Sequence, residues 1–342
     1  MTNATPFRIA INGYGRIGQC VLRALYENGY RDHLQVVAIN ELSDIDTIAH
    51  LTKYDSTHGR FHGEVAVDGD NLVVNGDRIR VLRHPEPEEL PWRLLDVDLV
   101  LECSGAYSDR ATAEKHIEAG AQRLLFSQPG DPDVDRTVVF GINDGDLNGQ
   151  DVIVAAGSCT TNCLVPVIKV LDDAFGVEQG STTTIHAAMN DQPVIDAYHH
   201  QDLRRTRSAL HNIVPVDTGL ARGIERLLPN MEGRFSSVAM RVPTLNVSAI
   251  DMVVNVREAT DIAAVNQLLC SAAAGSLKGI LGYTDELLAS SDFNHDSHSG
   301  VVDGGQTRVT GGTMVKVLCW FDNEWGFANR MLDVSRTWLS KI

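Results

Sequence analysis

The run GSCTTNC, residues 157–163, carries two cysteines four residues apart behind the small apolar run VIVAA. A metal clip would need two more ligands at suitable spacing, and CxxxC without a nearby CxxC or HxxxH does not supply them. Six cysteines scattered over 342 residues, none in a CxxC pair, do not make a disulfide scaffold and fit a reduced chain. One reactive thiol with a passive neighbour is the reading that remains. The run LVPVIKVLDDAF (164–175) is helix-like, so residues 159–162 fall in its first turn. Free N–H groups and the positive end of the helix dipole favour a thiolate there, which predicts a Cys159 pKa below the usual ~8.5. Cys163, one turn further in, reads as a buried packing residue.

A thiol nucleophile needs a base. The Thr- and Ile-rich run STTTIH ends in His186, 27 residues after Cys159. A strand returning after one crossover helix would lie beside the VIVAA strand and bring the two side chains within reach. On spacing alone, a histidine packed in the core is an equal alternative.

The elements that would position such a pair begin at the N-terminus. FRIAI (7–11) reads as a buried strand, followed by Gly13-Tyr-Gly15-Arg16-Ile17-Gly18 and an amphipathic helix ending at Gly29. A second strand, VVAIN (36–40), ends in Glu41. Strand, glycine turn, helix, strand and acid occur in the order of a dinucleotide site. The glycines admit pyrophosphate to the backbone, the helix N-terminus supplies N–H groups, and the acid accepts ribose hydroxyls. An acid there repels a 2′-phosphate, so NAD is the expected cofactor. Further α/β units are expected at 96–105, 111–121, 123–127 and 137–143, with antiparallel excursions at 64–82.

Composition bounds the rest. A net charge of −16 argues against nucleic acid as the main partner, because phosphate backbones reward clustered positive charge. No apolar run approaches the roughly 20 residues of a membrane helix. The start MTNATPFRIAING lacks a signal-peptide pattern, and a cytoplasmic location is expected.

The motifs GYGRIG, SCTTNC, TTIHAAMNDQ, DLRRTR, IVPVDTG, MRVPTLNVS and DNEWGFANRM, in order from about 7 to 335, resemble the glyceraldehyde-3-phosphate dehydrogenase family. The details resemble its erythrose-4-phosphate-oxidising members more than the glycolytic ones. Ala188-Met189 stands where the latter carry an aromatic residue and threonine, AINEL where they usually carry aspartate, and LFSQPG where they usually read ISAP. The resemblance implies that Cys159 is the nucleophile and His186 the acid/base. It implies that Gly13, Gly15, Arg16, Ile17, Gly18 and Glu41 hold NAD, with Asn323 on the carboxamide. Ser158, Thr160, Arg205, Thr218, Gly219 and Arg241 would bind substrate anions. Its products would be NADH and 4-phosphoerythronate, a step toward pyridoxal phosphate, and its assembly a homotetramer. The rivals are the phosphorylating glyceraldehyde 3-phosphate reaction and a non-catalytic, redox-sensing NAD-binding protein. A basic residue on the adenine side, near Arg83, stays unassigned.

The expected fold class is α/β: a Rossmann domain (1–157 and 322–342) and an α+β catalytic domain (158–321) with a mostly antiparallel sheet. That sheet is suggested by SSVAMRVPTLNVSAIDMVVNV, and helices such as 261–274 accompany it. The Ser-, Asp-, His- and Gly-rich stretch at 285–312 reads as the longest loop. No metal is expected: His199, His200, His295 and His298 read as polar loop residues. Trp320 and Trp325 read as packing residues, and Arg204, Arg205 and Arg207 have an inter-subunit salt-bridge cluster as their alternative.

Overall fold

The structure, a computed structural model, describes residues 5–199 and 202–342. The chain divides into one unit of residues 1–158 and 327–342 and a second of residues 159–326.

In the first unit, β1 (Phe7–Asn12) leads through the glycine turn into α1 (Arg16–Glu27) and β2 (Leu34–Asn40). Val21, Leu22 and Leu25 of α1 are fully buried, each worth about 1.5–3 kcal/mol. Asn28 caps the helix and Gly29 follows with φ 75°, a left-handed position that suits glycine. Next come α2 (Ile45–Lys53), a two-strand ribbon of β3 (Tyr54–Asp55) and β4 (Gly59–Arg60), and three strands: β5 (Val65–Asp68), β6 (Asn71–Val74) and β7 (Asp77–Leu82). Then follow β8 (Leu99–Glu102), α3 (Arg110–Glu118), β9 (Leu124–Phe126), β10 (Arg136–Thr137) and β11 (Ile153–Ala155). Asp44 and Asp109 accept the backbone N–H of Thr47 and Thr112, capping α2 and α3 for about 1 kcal/mol each.

Their sheet runs β10-β11-β9-β8-β1-β2-β7-β6-β5, parallel from β10 to β7 and antiparallel beyond. One expectation is corrected here: only β5 and β6 lie outside the parallel part, because β7 pairs with β2 in parallel. The run at 137–143 also keeps just its first residue as strand. Beyond it the Asn143 side chain accepts from Val139 N and donates to Thr137 O, replacing ladder bonds with a turn.

The last helix of the chain, labelled below, returns to this unit. Phe327, Met331, Leu332 and Val334 are buried, and Tyr30 donates to Asp333 at 3.0 Å.

The second unit opens with α4 (Cys159–Phe175) and β12 (Val177–His186), then β13 (Val214–Val216), α5 (Leu220–Leu227), β14 (Phe235–Arg241) and β15 (Ser248–Val256). It closes with α6 (Ile262–Ala274), capped by Asp261, β16 (Leu281–Thr284), β17 (Gly300–Thr310), β18 (Met314–Phe321) and the start of α7 (Trp325–Leu339). The sheet order is β13-β14-β12-β15-β18-β17-β16, antiparallel except for β14-β12 and β17-β16. The α/β class with a mostly antiparallel second sheet is thus as expected.

β12 lies between β14 and β15. Two local expectations fail. β12 pairs in this sheet and not beside β11. The stretch read as a loop contains β17, an eleven-residue strand whose register shifts between Asp303 and Arg308; the irregularity at Gly304-Gly305 erased the period-2 signal.

Candidate active site

Cys159 is the first residue of α4, and His186 the last of β12. Sγ and Nε2 are 3.9 Å apart, so the pairing is present although the adjacent-strand reason for it was wrong. His186 Nδ1 lies 2.8 Å from the carbonyl oxygen of Ala187, which can only accept. Nδ1 therefore carries the proton and the Nε2 lone pair faces the sulfur. Phe321 packs edge-on against the imidazole.

The electrostatics correct a second expectation. Burial pushes the Cys159 thiol up to about 12, against the pull of the Thr160 and Cys159 N–H groups; Asp322 and Glu324 add to the rise. Burial likewise lowers His186, with Arg241 pushing the same way and the Ala187 carbonyl and Asp191 opposing. Both shifts favour the uncharged partners, thiol and neutral imidazole, over the ion pair.

Cys163 is fully buried; a Cβ on Gly300 would meet its sulfur at 2.6 Å, so α4 and the start of β17 are in tight contact there. A Cβ on Gly223 of α5 would likewise meet Thr161 Oγ1 at 2.9 Å. The close packing of α5 on the first turn of α4 sets the start of α5, where Gly219 is the N-cap and Thr218 Oγ1 accepts from Leu220 N. Ser158 and Thr160 flank the thiol in sequence.

Arg241 ends β14 opposite His186 on β12 and is 6% exposed. Its guanidinium forks onto Asp191, and Nη2 also meets the Met189 thioether at 3.4 Å. Arg205 donates to Asp191 at 3.2 Å and lies 3.6 Å from Asp202, whereas Arg207 pairs with exposed Asp196. The arginines thus find acids within their own chain. Asp191 was missed in the sequence. The signal was present: an acid five residues past the histidine, with three arginines just downstream.

Asn323 is tied to the same site. Ala187 N donates to Ser248 Oγ at 3.0 Å, and Ser248 Oγ donates to Asn323 Oδ1 at 2.8 Å. The amide oxygen is thereby engaged, which leaves the NH2 as the donor end of the side chain. Ser248, buried on β15, had no signal in sequence beyond its place on a strand.

The glycine turn stands in the first unit. Gly13 has φ 87°, and a Cβ there would strike the Ser104 backbone at 2.4 Å; on Gly18 it would strike the Gly13 carbonyl at 2.4 Å. These two glycines are required by the turn. Nothing lies within 4 Å of a Cβ on Gly15, so no protein atom fills the space beside that glycine at the α1 N-terminus. Ile17 sits in the first turn of α1. The Arg16 side chain is held by Asp55, whose carboxyl, despite burial, is kept down at about 2 by Arg16 and two N–H groups. Its backbone remains the part aimed at the turn. Glu41 Oε2 accepts from Tyr14 N at 3.0 Å and Oε1 from Ser43 N at 3.3 Å, fixing the acid against the turn. The donor set and the open cradle fit a dinucleotide.

Three of the other histidines have structural partners. His298 pairs with Asp296, His295 stacks on Trp325 at 3.6 Å, and His199 Nδ1 accepts from Asp202 N. His200 lies outside the described residues. Trp320 stacks on Phe293 and donates to Asp303. Arg83 donates to the Ser43 carbonyl. Among the described residues no helix is long and apolar enough to cross a membrane.

Residues 7–110 match the glyceraldehyde 3-phosphate dehydrogenase NAD binding domain, and residues 158–323 match the C-terminal domain of the same enzyme.

Proposed function

This chain belongs to the glyceraldehyde 3-phosphate dehydrogenase family, and from that premise we propose that it oxidises D-erythrose 4-phosphate to 4-phospho-D-erythronate through a Cys159 thioester resolved by water. As the family implies, it is an NAD-dependent oxidoreductase acting on a phosphorylated aldehyde sugar, and NAD is its cofactor. The observation that carries the finer reading is the Met189 thioether against Arg241 Nη2. At that position a hydroxyl would help bind an anion; a thioether offers no O–H donor. A hydrogen bond to a charged group is worth roughly 1.5–3 kcal/mol, one to two decades of affinity. A pocket weakened in this way disfavours free phosphate as acyl acceptor and leaves the thioester to water.

The steps assign a role to each group. Sγ bonds to the aldehyde carbon as its proton passes to His186 Nε2, giving a hemithioacetal. The Cys159 N–H and the protonated imidazole stabilise the oxyanion. The imidazolium then gives its proton to that oxygen, leaving a hemithioacetal hydroxyl and a neutral His186. NAD, when bound, would supply the hydride acceptor; as the hydride leaves the carbon, His186 takes the hydroxyl proton and releases it to solvent while the thioester forms. His186 then deprotonates water, the C–O bond forms, the C–S bond breaks and the proton returns to sulfur. We assign Gly13, Gly15, Arg16, Ile17, Gly18 and Glu41 to the dinucleotide through backbone N–H groups and one carboxylate, and the Asn323 amide to the carboxamide. Ser158, Thr160, Thr218, Gly219, Arg205 and Arg241 are assigned to substrate anions. A homotetramer in the cytoplasm is the assembly this reading carries with it.

NADH formation from erythrose 4-phosphate in phosphate-free buffer, with the product identified by mass, tests the acceptor. Continuous turnover to the free acid is expected. A stall after one NADH per active site, relieved by phosphate, would show the phosphorylating rival; no burst at all would show a sensor.

Selectivity between cofactors follows from Glu41. NAD is expected to be preferred over NADP by at least ~10-fold, because the anchored carboxylate opposes a 2′-phosphate. Comparable kcat/KM with NADP would place the carboxylate elsewhere.

A further inference from the structure

Glu102 is buried at the end of β8, and the reaction just described makes no use of it. Four donors face its carboxylate. Oε1 accepts from the Ser104 backbone N–H at 2.8 Å and from the Ser104 hydroxyl. Oε2 accepts from the Asn12 amide at 2.6 Å and lies 3.3 Å from His116 Nε2. The Trp92 indole N–H, which can only donate, meets His116 Nδ1 at 3.0 Å, so the ring proton stands on Nε2, on the side of the acid. From Asn12 the row continues across the sheet. Asn12 Oδ1 accepts from Asn40 Nδ2, which also donates to the His84 carbonyl, while Asn40 Oδ1 accepts from His84 N. Glu102, Asn12 and Asn40 are the last residues of three adjacent parallel strands, β8, β1 and β2, at the edge where open α/β sheets take ligands.

This row is joined on both sides to the groups assigned to the dinucleotide. Gly13 follows Asn12 and donates to the Asn40 carbonyl, and a Cβ on it would strike the Ser104 N and Cα at 2.4 Å. Glu41 follows Asn40. We propose that Glu102 is a positioning residue for the cofactor: its carboxylate sets the amide orientations of Asn12 and Asn40 and holds Ser104 against Gly13. The proposal rests on the assignment of the Gly13–Gly18 turn and Glu41 to NAD. A carboxylate offers acceptors in both directions. An amide of the same shape has one oxygen, so its NH2 must face either the Ser104 donors or those of Asn12 and His116. A buried donor set against a donor loses its bond and its hydration together. The conflict relaxes when Ser104 or Asn12 shifts, and both border Gly13. NAD binding then has to restore the turn, so the cost appears in its Kd.

The test titrates the full chain with NAD by calorimetry, which reads Kd and the fraction of competent sites separately. Glu102→Gln keeps the shape and is expected to raise Kd by at least ~10-fold. Combining it with Asn12→Asp moves the carboxylate one place along the row. The new amide oxygen then accepts from Ser104, its NH2 donates to the carboxylate at position 12, and that carboxylate still accepts from Asn40. The exchanged pair should therefore return Kd to within about three-fold of wild type, a recovery of most of the lost bonds. Should Glu102→Gln fail to fold, Asn12→Asp alone, which sets two carboxylates face to face, carries the same expected rise. A fall in competent sites at unchanged Kd would show an acid that serves stability only, and that result overturns the proposal. So does an exchanged pair that binds NAD no more tightly than the single variants. Glu41→Ala separates the two levels of the argument, since it is expected to weaken NAD by itself. If Glu41→Ala and Glu102→Gln both bind NAD as wild type does, the assignment of the turn falls and this role with it. If only Glu41→Ala weakens NAD, the assignment stands and the inference alone is wrong.

Discussion

Cys159→Ala is expected to abolish NADH formation while NAD binding stays within a few-fold of wild type. The sulfur forms the only covalent bond between protein and substrate in the proposed reaction, and alanine leaves nothing that can add to a carbonyl. The groups assigned to the dinucleotide turn and Glu41 stand in the first unit, whereas Cys159 opens the second. Alanine favours the first turn of a helix as well as cysteine does, so folding should be little affected. The measurement is NADH absorbance from erythrose 4-phosphate alongside a titration of NAD. A variant that keeps even a tenth of the normal rate would remove Cys159 from its role.

His186→Asn should slow the reaction by ~10²–10⁴, the usual range for losing a general base. The asparagine amide can still reach the Ala187 carbonyl, but it cannot accept the thiol proton. Because the thiol is raised by burial, the sulfur depends on that transfer, and iodoacetamide alkylation should slow in the same variant. In wild type the sign of the acid limb follows from the lowered imidazole pKa: the neutral base is present at neutral pH and is lost as pH falls through that value. Alkylation at the wild-type rate in His186→Asn would mean that the helix terminus alone activates the sulfur.

The parts of the site visible in the chain were those whose chemistry is local. The glycine turn, α1 and Glu41 form a continuous piece of sequence whose spacing matches the close contacts at Gly13 and Gly18. Cys159 was legible because the helix after it begins at once, and so was the passive burial of Cys163. Other features were not legible, for identifiable reasons. The expected drop in the thiol pKa came from counting helix N–H groups, and a helix terminus says nothing about how much protein surrounds the sulfur. The β17 strand was hidden by a register shift at two glycines, where pairing with β18 overrides weak local propensity.

What the sequence by itself determined is the set of reactive residue types, their order, and the local elements that carry them: a nucleophile at a helix start, a histidine at a strand end, a glycine turn with an acid behind it. Only the tertiary structure decided which of these meet. β12 lies between β14 and β15 and not beside β11, so His186 stands opposite Arg241, and Asp191 reaches both Arg241 and Arg205. Spacing along a chain constrains neighbours within a helical turn or a strand. It does not choose which strand slots between two others, because that choice rests on burial and hydrogen bonding summed over residues far apart in sequence.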